Sequence, residues 1–343
     1  YDYGDELRVF GALTTAPVFE DFSYKEYLAR RSIHSLVRYA KTERLISGQG
    51  SRWRSALFRI RNHASKTIDR ILPEPQASLL NGMLLGIESG IPGPLYDDFR
   101  DSGAVHLIVI SGFNITVIAG LLSRVMLRVV GRRWAIYPVV AGIVVYALLA
   151  GAEPPVVRAA IMGILYVWAI HLGRESTAVV SLSAAALVLT AINPLALWDV
   201  GFQLSAAGTL GLIALSPRLT QRSHDLIKAR LGTGWVRDSV LWLVDPLIVT
   251  VAAQVATLPI LLAYFGRLST VSLLSNLLIA AAQPPILILG GLALIAGLAW
   301  TPLGTAVGSL PWLLLAYTVE IVQLTARVPN ATVDVGSVGI WFV

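Results

Sequence analysis

The chain has no cysteine. A disulfide framework, thiol catalysis and a cysteine-ligated metal are therefore excluded. Charge is scarce as well: Asp, Glu, Lys and Arg supply only 14% of 343 residues, against about 25% in a soluble domain. HExxH, HxHxDH, GxSxG and GxxxxGK[ST] are all missing, and no pair of aspartates lies inside an apolar run. Zinc-protease, metallohydrolase, esterase and P-loop chemistry thus find no motif here, and no metal site or cofactor is expected. The chain opens at Tyr1 with a polar stretch and no secretory leader pattern. The expectation is that it starts inside a larger protein.

What is abundant is apolar sequence. Hydrophobic residues make up 55% of the chain, and the mean hydropathy is +0.67. This is the composition of an integral membrane protein. A span needs about 20 apolar residues. Eight are predicted, at 104–130, 134–151, 155–172, 176–192, 200–216, 240–265, 270–299 and 304–326. The sixth carries Pro246 and Pro259, and the seventh carries Pro284-Pro285 near its middle. The seventh therefore reads as two half-helices, which a bilayer tolerates where they line a cavity or are covered by protein. The fold class expected is mainly α, a polytopic helical bundle.

Before the first span the pattern differs. Asp5 to Leu13 alternates polar and apolar, as a half-buried strand does, so residues 1–22 read as the end of a small β domain. Residues 23–51 read as a basic linker. Trp53, Leu57, Ile60, Ala64, Ile68 and Ile71 then recur at spacings of three and four, with arginines and Lys66 on the remaining surface. That is an amphipathic helix lying in the membrane interface or packed on the membrane domain, the former favoured. Residues 52–103 as a whole are expected to be amphipathic and short helices at the interface, 104–330 the transmembrane domain, and 331–343 a tail.

The net charge of +6 is unevenly spread. From Lys25 to Arg70 twelve Lys or Arg face three acids, Glu26, Glu43 and Asp69. Arg30, Arg31, Arg38, Lys41, Arg44, Arg52, Arg54, Arg59, Arg61 and Lys66 are candidates for phosphate binding, whether lipid headgroup or nucleic acid. With eight crossings, one set of loops holds Arg124, Arg128, Arg132, Arg133, Arg174, Arg218, Arg222, Lys228, Arg230 and Arg237, and the other only Arg267 and Arg327. The first set should face the cytoplasm. The N-terminal segment then lies outside, where the positive-inside rule does not account for its charge.

Several polar residues interrupt the apolar runs. On a continuous helix His106 and Asn114 lie roughly 80° apart with Ser111 beside them, one polar arc. It reads either as helix-packing glue or as the wall of a hydrated path. His106 and Ser111, five residues apart, do not meet as a catalytic pair on a regular helix. Arg158 stands inside the third span, with Glu153 or Glu320 as its expected partner. Asp199 and Gln203 sit at the entrance of the fifth span, Asp199 also fitting a helix N-cap. Gln254, Asn276 and Gln283 add amides to spans six and seven.

These blocks, in this order, resemble the ComEC family of competence proteins. PQASLLNGMLLGIESG at 75–90, FRDSGAVHLIVISGFNI at 99–115, the Pro155–Met162 span with Arg158-Ala159, PLALWDVGFQLS at 194–205, Thr257-Leu258-Pro259 and Ser275-Asn276 carry the resemblance. Asn114 stands where the family commonly has histidine. The resemblance implies that residues 1–22 end an OB-like domain. It implies passage of single-stranded DNA across the bacterial cytoplasmic membrane in natural transformation. His106, Ser111, Asn114, Arg158, Asp199, Gln203 and Asn276 would lie on the DNA path. The partners implied are single-stranded DNA, membrane lipid, a separate nuclease, a DNA receptor, a cytoplasmic motor and further copies of the chain. No sequence here resembles the β-lactamase-like nuclease domain usual in the family, so no enzymatic activity is expected. Three other readings remain open at this point: a small-solute secondary transporter, a membrane anchor for a separate nuclease, and a membrane-embedded hydrolase using Ser111.

Overall fold

The computed structural model describes residues 1, 3–17, 24–29, 33–108, 110, 112–174, 177–231 and 234–334. Arg30, Arg31 and Ser111 lie outside the described residues. The chain divides into two compact units, Tyr1–Ala64 and Ser65–Val343.

In the first unit β1 (Glu6–Phe10) precedes β2 (Leu13–Thr14), the short helix α1 (Tyr24–Ala29), β3 (Leu36–Val37) and β4 (Lys41–Ile46). β1 pairs antiparallel with β4, from Phe10 opposite Lys41 to Glu6 opposite Ile46, and β2 pairs with β3. Residues 23–51, expected as a linker, thus supply both partner strands. Their basic side chains hid the alternation, because Lys41, Glu43 and Arg44 stand on a strand that is exposed on both faces. Arg44 reaches Asp5 at 3.6 Å, and the Tyr1 hydroxyl hydrogen-bonds the Thr42 carbonyl at 3.0 Å.

Helix α2 (Arg52–Ile71) runs through the boundary of the two units. Its first turns expose Trp53 and Ile60, with Tyr3 stacked on Phe58 at 5.1 Å. Its last turns bury Thr67, Ile68 and Ile71. The apolar stripe therefore has two fates, and its C-terminal part packs on the helical bundle. Pro73 lies just beyond its end.

The second unit is a helical bundle. After α2 come α3 (Gln76–Leu85) and α4 (Gly93–Asp101), then a 3-10 turn at Val105–Leu107, with a second at Pro194–Trp198. The rest are α5 (Gly112–Val129), α6 (Gly131–Trp134), α7 (Ile136–Leu149), α8 (Pro154–His171), α9 (Ala178–Ile192), α10 (Val200–Leu231), α11 (Trp235–Phe265), α12 (Ser272–Ala280), α13 (Gln283–Ala299) and α14 (Thr301–Ala326). β5 (Arg267–Ser269) and β6 (Thr332–Asp334) form a small antiparallel pair.

Among the described residues five segments are long and apolar enough to cross a membrane, and α12 with α13, bent by 49°, would make a sixth if they form one broken span. α7 and α9 are apolar but only 14 and 15 residues long. Among the described residues the expected eight spans are therefore not all matched on length: α7 and α9 fall short, and the seventh qualifies only if α12 and α13 count as one broken span. The break in the seventh span lies at residues 281–282, so Pro284 and Pro285 occupy the first turn of α13, where a missing N–H costs nothing.

The second unit folds around α3, nine of whose ten residues are buried. An apolar helix this short reads as a core helix rather than a span. It lies against α13 and α14, where Leu80 meets Gly290. Gly86 ends it in the left-handed conformation at φ 67°, and a Cβ there would lie 2.9 Å from the Ala150 carbonyl. Beside it, Ile110, which precedes α5, forms one apolar cluster with Ile115, Ala119, Val139, Ile143, Ala147, Val156, Ala159 and Ala160 of α5, α7 and α8. α10 and α11 make a long antiparallel hairpin, close enough that a Cβ on Gly211 would run into Ala256. The 217–239 segment, which lies between the fifth and sixth predicted spans, is helical at 217–231 and at 235–239.

Candidate functional site

The polar arc expected on one continuous helix is not formed. α5 begins at Gly112, and His106 sits in the 3-10 turn before it. The backbone here is irregular because it is wedged between elements. A Cβ on Gly82 would lie 2.7 Å from the Ile108 carbonyl. Gly103, at φ +71°, has no room for one against Ser272. Ser269 Oγ donates to the Asp101 carbonyl at 2.8 Å, fixing the start of the segment. Irregular backbone at membrane depth is stable when buried in protein in this way. His106 itself is exposed.

Asn114 is buried, and its Nδ2 donates to the Met83 carbonyl at 3.0 Å. It ties α5 to α3. Asp199 Oδ1 accepts the Phe202 N–H at 2.9 Å, the N-cap of α10. Gln203 Nε2 donates to the Leu197 carbonyl at 2.8 Å. Both residues fasten the Pro194–Trp198 turn to α10. Asn276 has a buried Oδ1 with no acceptor role filled, and Gln254 spends its amide on Ser272.

Arg158 differs from these. It projects from the second turn of α8 and is 5% exposed. Nη1 donates to the Ser205 carbonyl and, at 2.7 Å, to the Thr209 hydroxyl, both on α10. Thr209 in turn donates to the Ser205 carbonyl at 2.8 Å. Neither Glu153 nor Glu320, its expected partners, forms an ion pair with it, and among the described residues no carboxylate does. Its Nε is buried without a partner. Sequence reasoning missed Ser205 and Thr209, although their spacing of four places them on one face of α10.

The structure therefore brings Arg158 to α10 and to the start of α5, where a Cβ on Gly112 would lie 3.6 Å from Nη2. It does not gather His106, Asn114, Asp199, Gln203 and Asn276 into one cluster of hydrogen-bonded groups. In the first unit Arg38, Lys41, Arg44, Arg52, Arg54 and Arg59 are exposed, with Arg54 over the Trp53 ring at 5.4 Å; Arg61 is half-buried. Lys66, in the second unit, is exposed.

Outside the spans, burial in the first place and the neighbouring Glu153 carboxylate in the second hold the Glu88 carboxyl above the ordinary carboxylate range. Two acids thus approach at the end of the bundle where α8 begins, a pairing that their separation in sequence concealed.

Residues 83–343 match the family described as competence protein. The chain belongs to that family. It is 28% identical over 258 residues to ComE operon protein 3 of Bacillus subtilis (strain 168), covering 75% of this chain and 31% of the relative. It is 32% identical over 184 residues to competence protein ComA of Neisseria gonorrhoeae, covering 50% and 26%. A third relative is the uncharacterized protein YcaI of Escherichia coli (strain K12), 31% identical over 154 residues. The chain spans less than a third of the length of these curated relatives. No solved structure matches it.

Proposed function

We propose that this chain is a membrane component of DNA uptake in natural transformation, and that single-stranded DNA passes through its helical bundle. The observation that carries the reading is Arg158: a guanidinium buried inside the bundle with no carboxylate, among the described residues, to neutralise it. A path for cations would supply acids at such a point, whereas a path for a polyanion keeps its fixed charge positive. Membership of the competence family agrees with it.

In this reading Arg158 meets the strand directly. His106 lies beside the path, and Asn114, Asp199 and Gln203 hold its walls in place. Ser111 and Asn276 complete the set proposed from the sequence. The exposed cations of the N-terminal segment collect the strand on the outer side, Arg38, Lys41, Arg44, Arg52, Arg54 and Arg59 foremost. A separate nuclease, a DNA receptor and a cytoplasmic motor would act before and after it in the bacterial cytoplasmic membrane.

Transformation frequency in cells carrying Arg158→Ala tests the claim. Loss of a charge-assisted contact worth about 2 kcal/mol corresponds to a fall of about 30-fold. Normal uptake at normal protein level would remove Arg158 from the path. Fluorescent single-stranded DNA, titrated onto the solubilised chain across a salt series, tests the outer segment. Binding should weaken steeply with salt, and glutamine at Arg38, Lys41, Arg44 and Arg52 should flatten that slope.

One observation favours a small-solute transporter instead: the bend between α12 and α13, with the unpartnered Asn276 amide close before it. That reading predicts solute binding at the bend and transformation unaffected by Arg158→Ala.

A further inference from the structure

Two positive poles meet where α8 passes the start of α5. A Cβ built on Gly112 would lie 3.6 Å from Arg158 Nη2 and 3.4 Å from Ala159 Cβ. α5 is 18 residues long, so its N-terminus carries about half a positive charge, and its first N–H groups have no acceptor within the helix. The guanidinium beside it is buried, and Nη1 is already held by Ser205 and Thr209. Nε, which shares an edge of the fork with Nη2, has no partner. Like charges this close in a low-dielectric interior repel one another unless an anion joins them.

We propose that the N-terminus of α5 and the Nε/Nη2 edge of Arg158 form an internal anion site that takes one phosphate group of a phosphodiester. The guanidinium edge offers two parallel donors to two phosphate oxygens, and the helix N–H groups serve the others. α10 aims the fork by holding Nη1. Glycine at 112 leaves the approach open, since any side chain there would stand against Nη2. Assigning the phosphate to a DNA strand rests on the reading above; the anion site does not.

The test is the melting temperature of the full chain in a maltoside detergent, in phosphate against chloride at matched ionic strength. Wild type, Arg158→Ala, Arg158→Lys, Gly112→Ala and an outer-segment variant with glutamine at Arg38, Lys41, Arg44 and Arg52 are compared. Phosphate should raise the melting temperature of wild type by several degrees, and the Arg158-dependent part of that rise should persist in the outer-segment variant. Arg158→Ala should lose that increment, and Arg158→Lys most of it. Gly112→Ala places its methyl in ordinary contact, so it should melt near wild type in chloride yet lose part of the increment. An increment unchanged in Arg158→Ala or Arg158→Lys overturns the site, as does an undiminished one in a folded Gly112→Ala chain.

Phosphodiester oligothymidylate and phosphatidylglycerol are the further arms. An Arg158-dependent shift with the oligonucleotide supports the DNA assignment; one with the lipid alone overturns it. Transformation lost in Arg158→Ala with a phosphate increment independent of Arg158 removes the site and leaves the DNA reading standing. An Arg158-dependent increment in a chain whose Arg158→Ala variant still transforms cells does the reverse.

Discussion

Arg158 and Asn114 illustrate two uses of a polar side chain at membrane depth. Asn114 has a backbone carbonyl within 3.0 Å, so it joins α5 to α3 rather than facing a path. Asn114→Ala should destabilise the chain by about 1–2 kcal/mol, because the Met83 carbonyl is left buried without its donor. Unfolding in detergent measures this. Arg158 spends one nitrogen on α10 and keeps another unpaired, which is a poor arrangement for stability alone. Glu88 makes a different prediction. Its raised folded pKa means that the folded chain holds that proton more tightly than the unfolded chain does. The stability this contributes is complete below the ordinary value of 4.5 and is lost as pH rises through the raised value. Melting temperature should therefore fall across that window in wild type and fall less in Glu88→Gln. Glu153→Gln should narrow the window, since it removes the second cause of the shift.

Among the elements, close backbone approach sets the bundle's packing. A Cβ on Gly304 would run into Gly297 Cα, so α13 and α14 touch backbone to backbone there. Gly211 does the same for α10 against Ala252 and Ala256 of α11. Small residues at crossings are what membrane helices use in place of a hydrophobic driving force. Gly304→Val and Gly211→Val should each cost about 1–3 kcal/mol through overpacking. Gly291→Val, where a Cβ meets open space, is the control and should unfold close to wild type. α10 and α11, of 32 and 31 residues, are each about 47 Å long, well beyond a hydrocarbon core of about 30 Å. Their polar ends therefore project beyond the bilayer, where His224 and Asp245 meet at 2.7 Å across the hairpin.

For the whole molecule the open quantity is the number of crossings. α7 and α9 would each extend only about 21–23 Å, so they cross only a thinned bilayer or one in which neighbouring residues extend them. The absence of cysteine makes the chain suited to single-cysteine labelling. If all eight segments cross with the arginine-rich loops inside, a membrane-impermeant maleimide should label Ala152→Cys and Leu195→Cys on intact cells. It should label Arg132→Cys, Arg174→Cys and Lys228→Cys only after permeabilisation. Labelling of Arg132→Cys and Ala152→Cys from the same side would show that α7 does not cross, and the same comparison of Arg174→Cys with Leu195→Cys decides α9.

Composition by itself determined that this is a helical membrane protein, since so apolar a chain has few other ways to satisfy its backbone. The ends of many helices were legible too, because prolines and glycines act locally: Pro73 after α2, Pro154 at the start of α8, and Pro284 beside the broken span. Asp199 as a helix cap is equally local, its acceptor lying three residues from its donor. Only the tertiary structure decided what lies far apart in sequence. It put Ser205 and Thr209, rather than an acid, on Arg158, and Met83 on Asn114. It paired the basic strand at 41–46 with β1, and it broke the chain before Gly112. Each of these depends on which backbones pass close to one another, and hydrophobic periodicity along a single segment carries no information about its neighbours.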